Sequence, residues 1–362
     1  MATVLFNSDE FESGFSEIKR GPGSNETPLV LNVCVICGSF GSLINIKKLV
    51  DDLLTSDDTS DDLLTSDDTS DDRTILVDIN MTTGKKEIVI VTPTDKKSAV
   101  KIIKKEYPIK PKTIRIRYKP NCKKSKQKKK KGEDAFYNCI NIEFVVDSGS
   151  ELRSGANLRP SVAPELRLGC ERSNISAKLF PNGNLQVAGC KNVSVCNRVP
   201  QIIFNFINKY GKDSIINPEL FSIKEFRIVM LKTSFKFNCG ALNLEILKDK
   251  INQHNVRTET GEWRNAVYEP GTFPGLNAKH WQPETKEKYI DKIKSGKNFG
   301  KKIEGQSTVI VFRQGNASIT GAKTVNELSA AYHSIIDIVH KYYDEVVDVD
   351  DLSSELRTFF SH

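Results

Sequence analysis

Histidine is scarce in this 362-residue chain, with five residues dispersed along it. Acid–base catalysis uses His more often than any other side chain, so a convincing site of that kind has little to draw on. Long apolar runs are missing as well. No stretch approaches the ~18 consecutive apolar residues of a membrane-spanning helix, and the N-terminus MATVLFNSDEFE has no signal-peptide pattern. The eight cysteines lack zinc-site spacing. Only Cys34 and Cys37 lie close together, inside the apolar run LNVCVIC, with no matching Cys or His pair downstream. Buried free thiols in a reducing compartment are therefore expected, with no metal and no other cofactor. The chain is long enough for one large or two small cores.

Charge is plentiful but uneven. Lys and Arg outnumber Asp and Glu by 53 to 46, a net +7. Residues 51–72 are two copies of DDLLTSDDTS followed by DD, with ten Asp and no Lys or Arg, so the rest carries +17 (7 plus 10). Such an acidic, Ser/Thr-rich block reads as a solvated loop, or as a phosphate mimic competing for a basic groove. Residues 123–131, KKSKQKKKK, hold seven Lys. That run fits a nuclear-localisation signal, a DNA-phosphate arm or a solubilising loop.

One pattern occurs twice. Ala177–Lys191, AKLFPNGNLQVAGCK, and Val309–Lys323, VIVFRQGNASITGAK, share a strand-like run ending in Phe, a Gly-Asn turn, an alternating run and Gly-x-Lys. Phe180 and Phe312 lie 132 positions apart (312 minus 180). Asn or Gln before Gly between two such runs predicts a tight hairpin. Helical spacing follows each copy, and Thr324 with Glu327 forms a capping box that fixes one helix start. Gly189 and Gly321 stand where strand turns into helix, which suits a residue without a β-carbon. In the second hairpin, alternation sends Ile310 and Phe312 to one face and Val309, Val311 and Arg313 to the other, with Ser318 and Thr320 sharing one side. Two apolar faces result. One packs on helices, and the other needs a partner.

Around this duplication the chain reads in order as a strand from residue 29, the helical LINIKKLVDDLL interrupted or followed by the acidic block, and three strand runs, TILVDIN, EIVIVTP and KTIRIRY. Pro200 marks a helix start or kink. Phe226–Phe237 opens the second half, with LNLEILKDKINQ as its helix. Each half carries another Phe upstream, Phe136 in AFYNCINIEF and Phe273 in YEPGTFPGL.

YEP-x-x-FPGL followed by IVF-x-x-G-x-x-x-x-TGAK resembles the second repeat of the TATA-box-binding protein family. LF-x-x-GN-x-x-x-x-G-x-K, preceded by Phe136, resembles a worn first repeat. The resemblance implies an α+β saddle in which two pseudo-symmetric repeats form a curved antiparallel β-sheet with helices on the convex face. It divides the chain into a polar tail (1–28), a first repeat (29–213), a second repeat (214–345) with an insertion at 282–306, and an acidic tail (346–362). The first repeat holds the acidic block 51–72, then extra strands and the Lys-rich loop over 73–134.

The implied function is that of a non-enzymatic transcription initiation factor that binds the minor groove of double-stranded DNA and bends promoters. It would work inside the cell as a monomer on DNA, away from membranes, with a transcription factor IIB-like partner and the RNA polymerase machinery. Carried over by motif, the wedges are Phe136 with Phe180 and Phe273 with Phe312, and Pro274 supports its neighbour. Asn32 and Thr320 face the groove, and Lys191, Lys279 and Lys323 lie near phosphates. Departures from the pattern are equally specific. The second half lacks an Asn near Met230 or Lys232, Ala188 replaces a Thr, and Asn184 and Asn316 replace the hairpin lysines. The first half's basic position falls on Ile142, and YEPGT lacks a Glu. Core motifs with large insertions and eroded contacts resemble the family's divergent relatives in large DNA viruses. The alternative is a protein-interaction or structural protein that keeps the fold without sequence-specific DNA binding.

Overall fold

The computed structural model describes residues 29–54, 74–91, 107–110, 112–118, 139–147, 172–253, 262–281 and 306–348. Phe136, the Lys-rich run and the tails beyond these limits lie outside the described residues. Every strand pairing resolved in register is antiparallel. The chain divides into two compact units. Within the described residues, unit 1 runs from Val35 to Arg227, and unit 2 takes residues up to Cys34 and from Ile228 onward.

In unit 1 the elements are β1 (Val30–Ser39, from Val35), α1 (Ile46–Leu54), β2 (Thr74–Asn80), β3 (Lys86–Val91), β4 (Thr113–Tyr118), β5 (Ile140–Asp147), β6 (Arg172–Leu179), β7 (Asn184–Cys190) and α2 (Val193–Tyr210). The sheet order is β7-β6-β5-β4-β2-β3. β6 shows why these residues pair as they do. Ser173, Ile175, Ala177 and Leu179 are buried on one side, while Arg172, Asn174 and Lys178 are exposed on the other. α2 packs on β7 and buries Val195, Val199, Ile203 and Ile207. It starts at Val193, capped by Asn192, whose side chain accepts from Val195 N–H at 2.8 Å, and it runs through Pro200. Pro200 therefore does not start the helix. The helix covers an apolar face long enough to offset one missing N–H. α1 extends into the acidic block as far as Leu54, because Leu53 is fully buried.

The run KTIRIRY is not an appendage. β4 pairs with β5, Ile114 opposite Phe144 and Ile116 opposite Ile142. Only β2 and β3 lie beyond it. β2 joins β4 through a buried ion pair in which the Arg115 guanidinium donates from Nε and Nη2 to the two carboxylate oxygens of Asp78, both at 2.6 Å.

Unit 2 contains β8 (Arg227–Lys236, from Ile228), β9 (Ala241–Leu242), α3 (Leu244–Gln253), β10 (Glu262–Glu269), β11 (Phe273–Trp281), β12 (Gln306–Phe312), β13 (Asn316–Ala322), α4 (Val325–Lys341), α5 (Tyr343–Val346) and β14 (Val347–Asp348). Its sheet order is β10-β11-β12-β13-β8, and β14 pairs with β9. Strand, helix, four strands in sequential order, helix: the succession matches unit 1, with β4 in the place of β10. α4 packs on β11, β12 and β13, where its Leu328, Ala331, Tyr332, Ile335 and Val339 bury Leu276, Val309, Val311, Ala317 and Ile319. Trp263 Nε1 donates to Ser334 Oγ at 2.7 Å, fixing β10 to the same helix. Thr324 caps α4 by accepting from Glu327 N–H at 3.1 Å, and Glu327 in turn accepts from Lys323 N–H at 2.7 Å.

Both hairpins are fastened from behind by the same latch. Phe40 N–H donates to Gly183 O at 3.0 Å and Ile44 N–H to Pro181 O at 2.8 Å. In unit 2, Phe237 N–H donates to Gly315 O at 2.9 Å and Leu242 N–H to Arg313 O at 2.7 Å. An Asn cap follows each latch. Asn45 accepts from Lys48 N–H at the start of α1, and Asn243 from Ile246 N–H at the start of α3.

Gly189 and Gly321 end their strands with φ of +99° and +94°. A β-carbon at Gly189 would lie 2.0 Å from Asn174 O, whereas at Gly321 the nearest atom, Gln306 O, is 3.1 Å away. Gly321→Ala is expected to cost about 1–3 kcal/mol in backbone strain. Gly189→Ala should cost a further ~1–3 kcal/mol or more, because strand backbone must move. Paired denaturant melts of the two variants check the difference, and equal costs would contradict it.

Candidate nucleic-acid interface

Strand alternation gives unit 2 a sheet face opposite α4. Across it, Asn277, Ile310, Ser318 and Ser234 stand abreast on β11, β12, β13 and β8. The next row is Lys279, Thr308, Thr320 and Lys232. Ile310 and Phe312 are half-buried while Val309 and Val311 are fully buried, so the two faces separate as the alternation requires. Lys279 Nζ donates to Thr308 Oγ1 at 2.5 Å, and Thr320 Oγ1 reaches Met230 Sδ at 3.7 Å. Asn32 donates from Nδ2 to Ser234 Oγ at 3.0 Å, and the same hydroxyl lies 3.2 Å from Asn32 Oδ1.

At the end of this face the rings of Phe273 and Phe312 lie 6.0 Å apart, tilted by 58°. Phe273 is 39% exposed, and Pro274 beside it is exposed. Gly275 pairs with Phe312. A β-carbon on Gly275 would sit 2.8 Å from Phe273 Cε1 and 3.0 Å from Phe312 Cε1. The glycine lets both rings rest on the strand. Val267, Glu269, Thr272, Asn277 and Lys279 complete a depression of about 360 Å³ beside them. One exposed and one half-buried aromatic ring beside small and apolar side chains form an edge that can insert between stacked planar groups.

Unit 1 presents the matching face with different occupants. Asn141, Lys178 and Gln186 stand abreast, and Glu143, Ser176 and Ala188 form the next row. Arg117 Nη2 reaches Glu143 Oε1 at 2.8 Å. Phe180 is half-buried and borders a groove of about 500 Å³ with Leu43, Ile44, Pro181 and Ile216. Lys191 is half-buried just before the α2 cap, and Lys323 is exposed just before Thr324.

The pairing register corrects one match made from sequence spacing. Lys279 stands opposite Thr308 as Glu143 stands opposite Ser176, so the first half's basic position is occupied by Glu143. Ile142 faces the core, fully buried. Counting from Phe136 misses Glu143 because register is fixed by the partner strand. Counted from Phe40 and Phe237 the residue in step with Asn32 is Val229, and counted from Ile44 and Leu242 it is Met230, neither of them an Asn. The latches carry a readable signal, a Phe followed within a few residues by a hydrophobic-Asn-hydrophobic triplet centred on Asn45 or Asn243.

Residues 225–342 match the family model described as transcription factor TFIID (or TATA-binding protein, TBP). A TATA-box-binding protein-like protein of Acanthamoeba polyphaga mimivirus is 26% identical over 233 residues, covering 61% of this chain and 52% of that one. The chain thus spans about half the length of that relative. The TATA-box-binding protein of Pyrobaculum calidifontis is 22% identical over 216 residues, covering 60% of this chain and 84% of its own. Among solved structures, Methanococcus jannaschii TBP overlaps 86% of this chain and 98% of its own, at 11% identity and a TM-score of 0.35.

Proposed function

We propose, starting from a chain whose residues 225–342 match the TATA-binding-protein family model and which is similar to TATA-box-binding and TATA-box-binding-like proteins, that it is a minor-groove DNA-binding initiation factor that bends its site. The observation that carries this reading is the Phe273–Phe312 pair, resting on Gly275 at the end of a face lined by Ile310, Thr308, Thr320 and Ser318. The minor groove offers few hydrogen-bond differences, so small and apolar side chains suit it. Apolar wedges between base steps kink the duplex and bring more protein surface into contact, a mode for which the TATA-binding protein is itself the reference case. Phe180 and Phe136 are the corresponding wedges of unit 1. The protein would act as a monomer with a transcription factor IIB-like partner and the polymerase machinery, inside the cell. Lys191, Lys279 and Lys323 neutralise phosphates, Pro274 stiffens the Phe273 turn, and Asn32 and Thr320 face the groove. No catalytic residue is assigned.

Selecting bound duplexes from a random pool, with bending measured on the winners, tests the function directly. Binding without bending would return the protein to the interaction class. Each phosphate neutralised releases counterions, so affinity should fall on the order of a thousandfold from about 50 to about 200 mM salt if six or more phosphates are engaged. Removing residues 55–72, which leaves the buried Leu53 in place, should tighten nonspecific binding if the acidic block competes for the groove. An unchanged affinity would make that block a solvated loop only.

A further inference from the structure

The open faces of the two units differ in chemistry at matching positions. Where unit 2 sets Ile310 and Ser318 beside Asn277, unit 1 sets Lys178 and Gln186 beside Asn141. Lys178 and Gln186 are exposed, and Asn141 is half-buried. In the adjoining row the Glu143 carboxylate is balanced by Arg117 at 2.8 Å, so this face offers hydrogen-bonding groups without a net negative charge beside them. Three polar side chains therefore stand side by side on β5, β6 and β7, where the other unit is mostly small or apolar.

Base pairs differ in the minor groove at one group. A·T and T·A pairs display acceptors only, and G·C adds the guanine N2 amino donor. A face of Ile and Thr side chains covers that donor without answering it, and an unanswered buried donor is unfavourable. An amide oxygen answers it. We propose, building on the minor-groove reading above, that the unit 1 face accepts G·C pairs through the side-chain oxygens of Asn141 and Gln186. Lys178 donates to the pyrimidine O2 or purine N3 acceptors beside them. The preferred site is then asymmetric, with A·T pairs under unit 2 and G·C-containing sequence under unit 1.

The test uses the full chain and duplexes it selects from a random pool. Each guanine of a selected site is replaced singly by inosine, which lacks only the N2 amino group. At one or two positions confined to one half of the site, inosine should weaken binding about tenfold, the scale of one base-specific hydrogen-bonded contact. Asn141→Val/Gln186→Val should lose that sensitivity while still binding A·T-rich duplexes. Inosine binding as well as guanine at every position overturns the inference, and this arm needs only the unaltered chain. Retention of the guanine dependence in the double variant also overturns it. A chain that binds no duplex above its nonspecific level would overturn the minor-groove reading itself, and the inference with it.

Discussion

Replacing Phe273 and Phe312 together with alanine is expected to abolish bending and to weaken DNA binding at least about thirtyfold, taking ~1–3 kcal/mol for each aromatic stacked on a base. The cost in folding should be modest. A fully buried Phe→Ala substitution costs about 3–5 kcal/mol. Phe273 is 39% exposed, and Phe312 is half-buried with its ring mainly against Phe273, Gly275 and neighbouring strand residues. Less than half of that figure per residue is expected here. A thermal melt of the double variant, run beside a circular-permutation bending assay, separates wedge from core. A large drop in melting temperature with bending intact would assign the rings to the core and remove the main support for the functional reading. Phe180→Ala should have the smaller effect on bending, because the face beside it is polar and lacks the counterparts of Lys279 and Thr320.

Asp78→Ala is expected to be the most destabilising single change in the strands that extend unit 1, at about 3–5 kcal/mol. The side chains of Arg115 and Asp78 are only 4% and 12% exposed, so removing the carboxylate leaves a guanidinium charge with little water to turn to. Its other hydrogen bond, from Nη1 to Tyr107 O, provides only a dipole, and the Glu143 and Glu87 carboxylates act on it without a hydrogen bond. Replacing both partners with leucine should be near neutral, since the uncompensated charge goes as well. Denaturant unfolding of the single and double variants checks this. A single variant within about 1 kcal/mol of the parent would show that β2 is joined to β4 by its ladder and apolar side alone.

What was readable from sequence was whatever depends on short range. The two Gly turns, the Thr324–Glu327 cap and the sidedness of Ile310 and Phe312 each follow from a few adjacent residues. What was misread depends on partners far along the chain. KTIRIRY looks self-sufficient as an alternating run, yet only pairing shows that Ile114 and Ile116 complete the β5 edge while β2 and β3 lie outside. The occupant of the Lys279 position in the first half does not follow from counting on from Phe136, because the ladder with β6 sets which residue stands opposite Ser176. Pro200 reads from its missing N–H as a helix start or a kink, whereas the apolar periodicity on both sides of it carries α2 through that position. The exact repeat of the acidic decamer was legible, but its first residues proved to be helix because Leu53 belongs to the core.

The latches carry a lesson about chain length. Phe40 and Gly183 are 143 positions apart (183 minus 40), whereas Phe237 and Gly315 are 78 apart (315 minus 237), yet the bond that closes them differs by only 0.1 Å. Loop-closure entropy grows with the logarithm of length, so the longer circuit costs only about 0.5 kcal/mol more than the shorter. That is within reach of one ordinary hydrogen bond, at about 1 kcal/mol. Joining segments in the first half are therefore almost invisible to selection for stability as long as both ends of the latch survive. A slipped decamer or a lengthened lysine run can drift in and out of such a gene, while Phe40, Gly183 and the cap at Asn45 hold the frame in which it drifts.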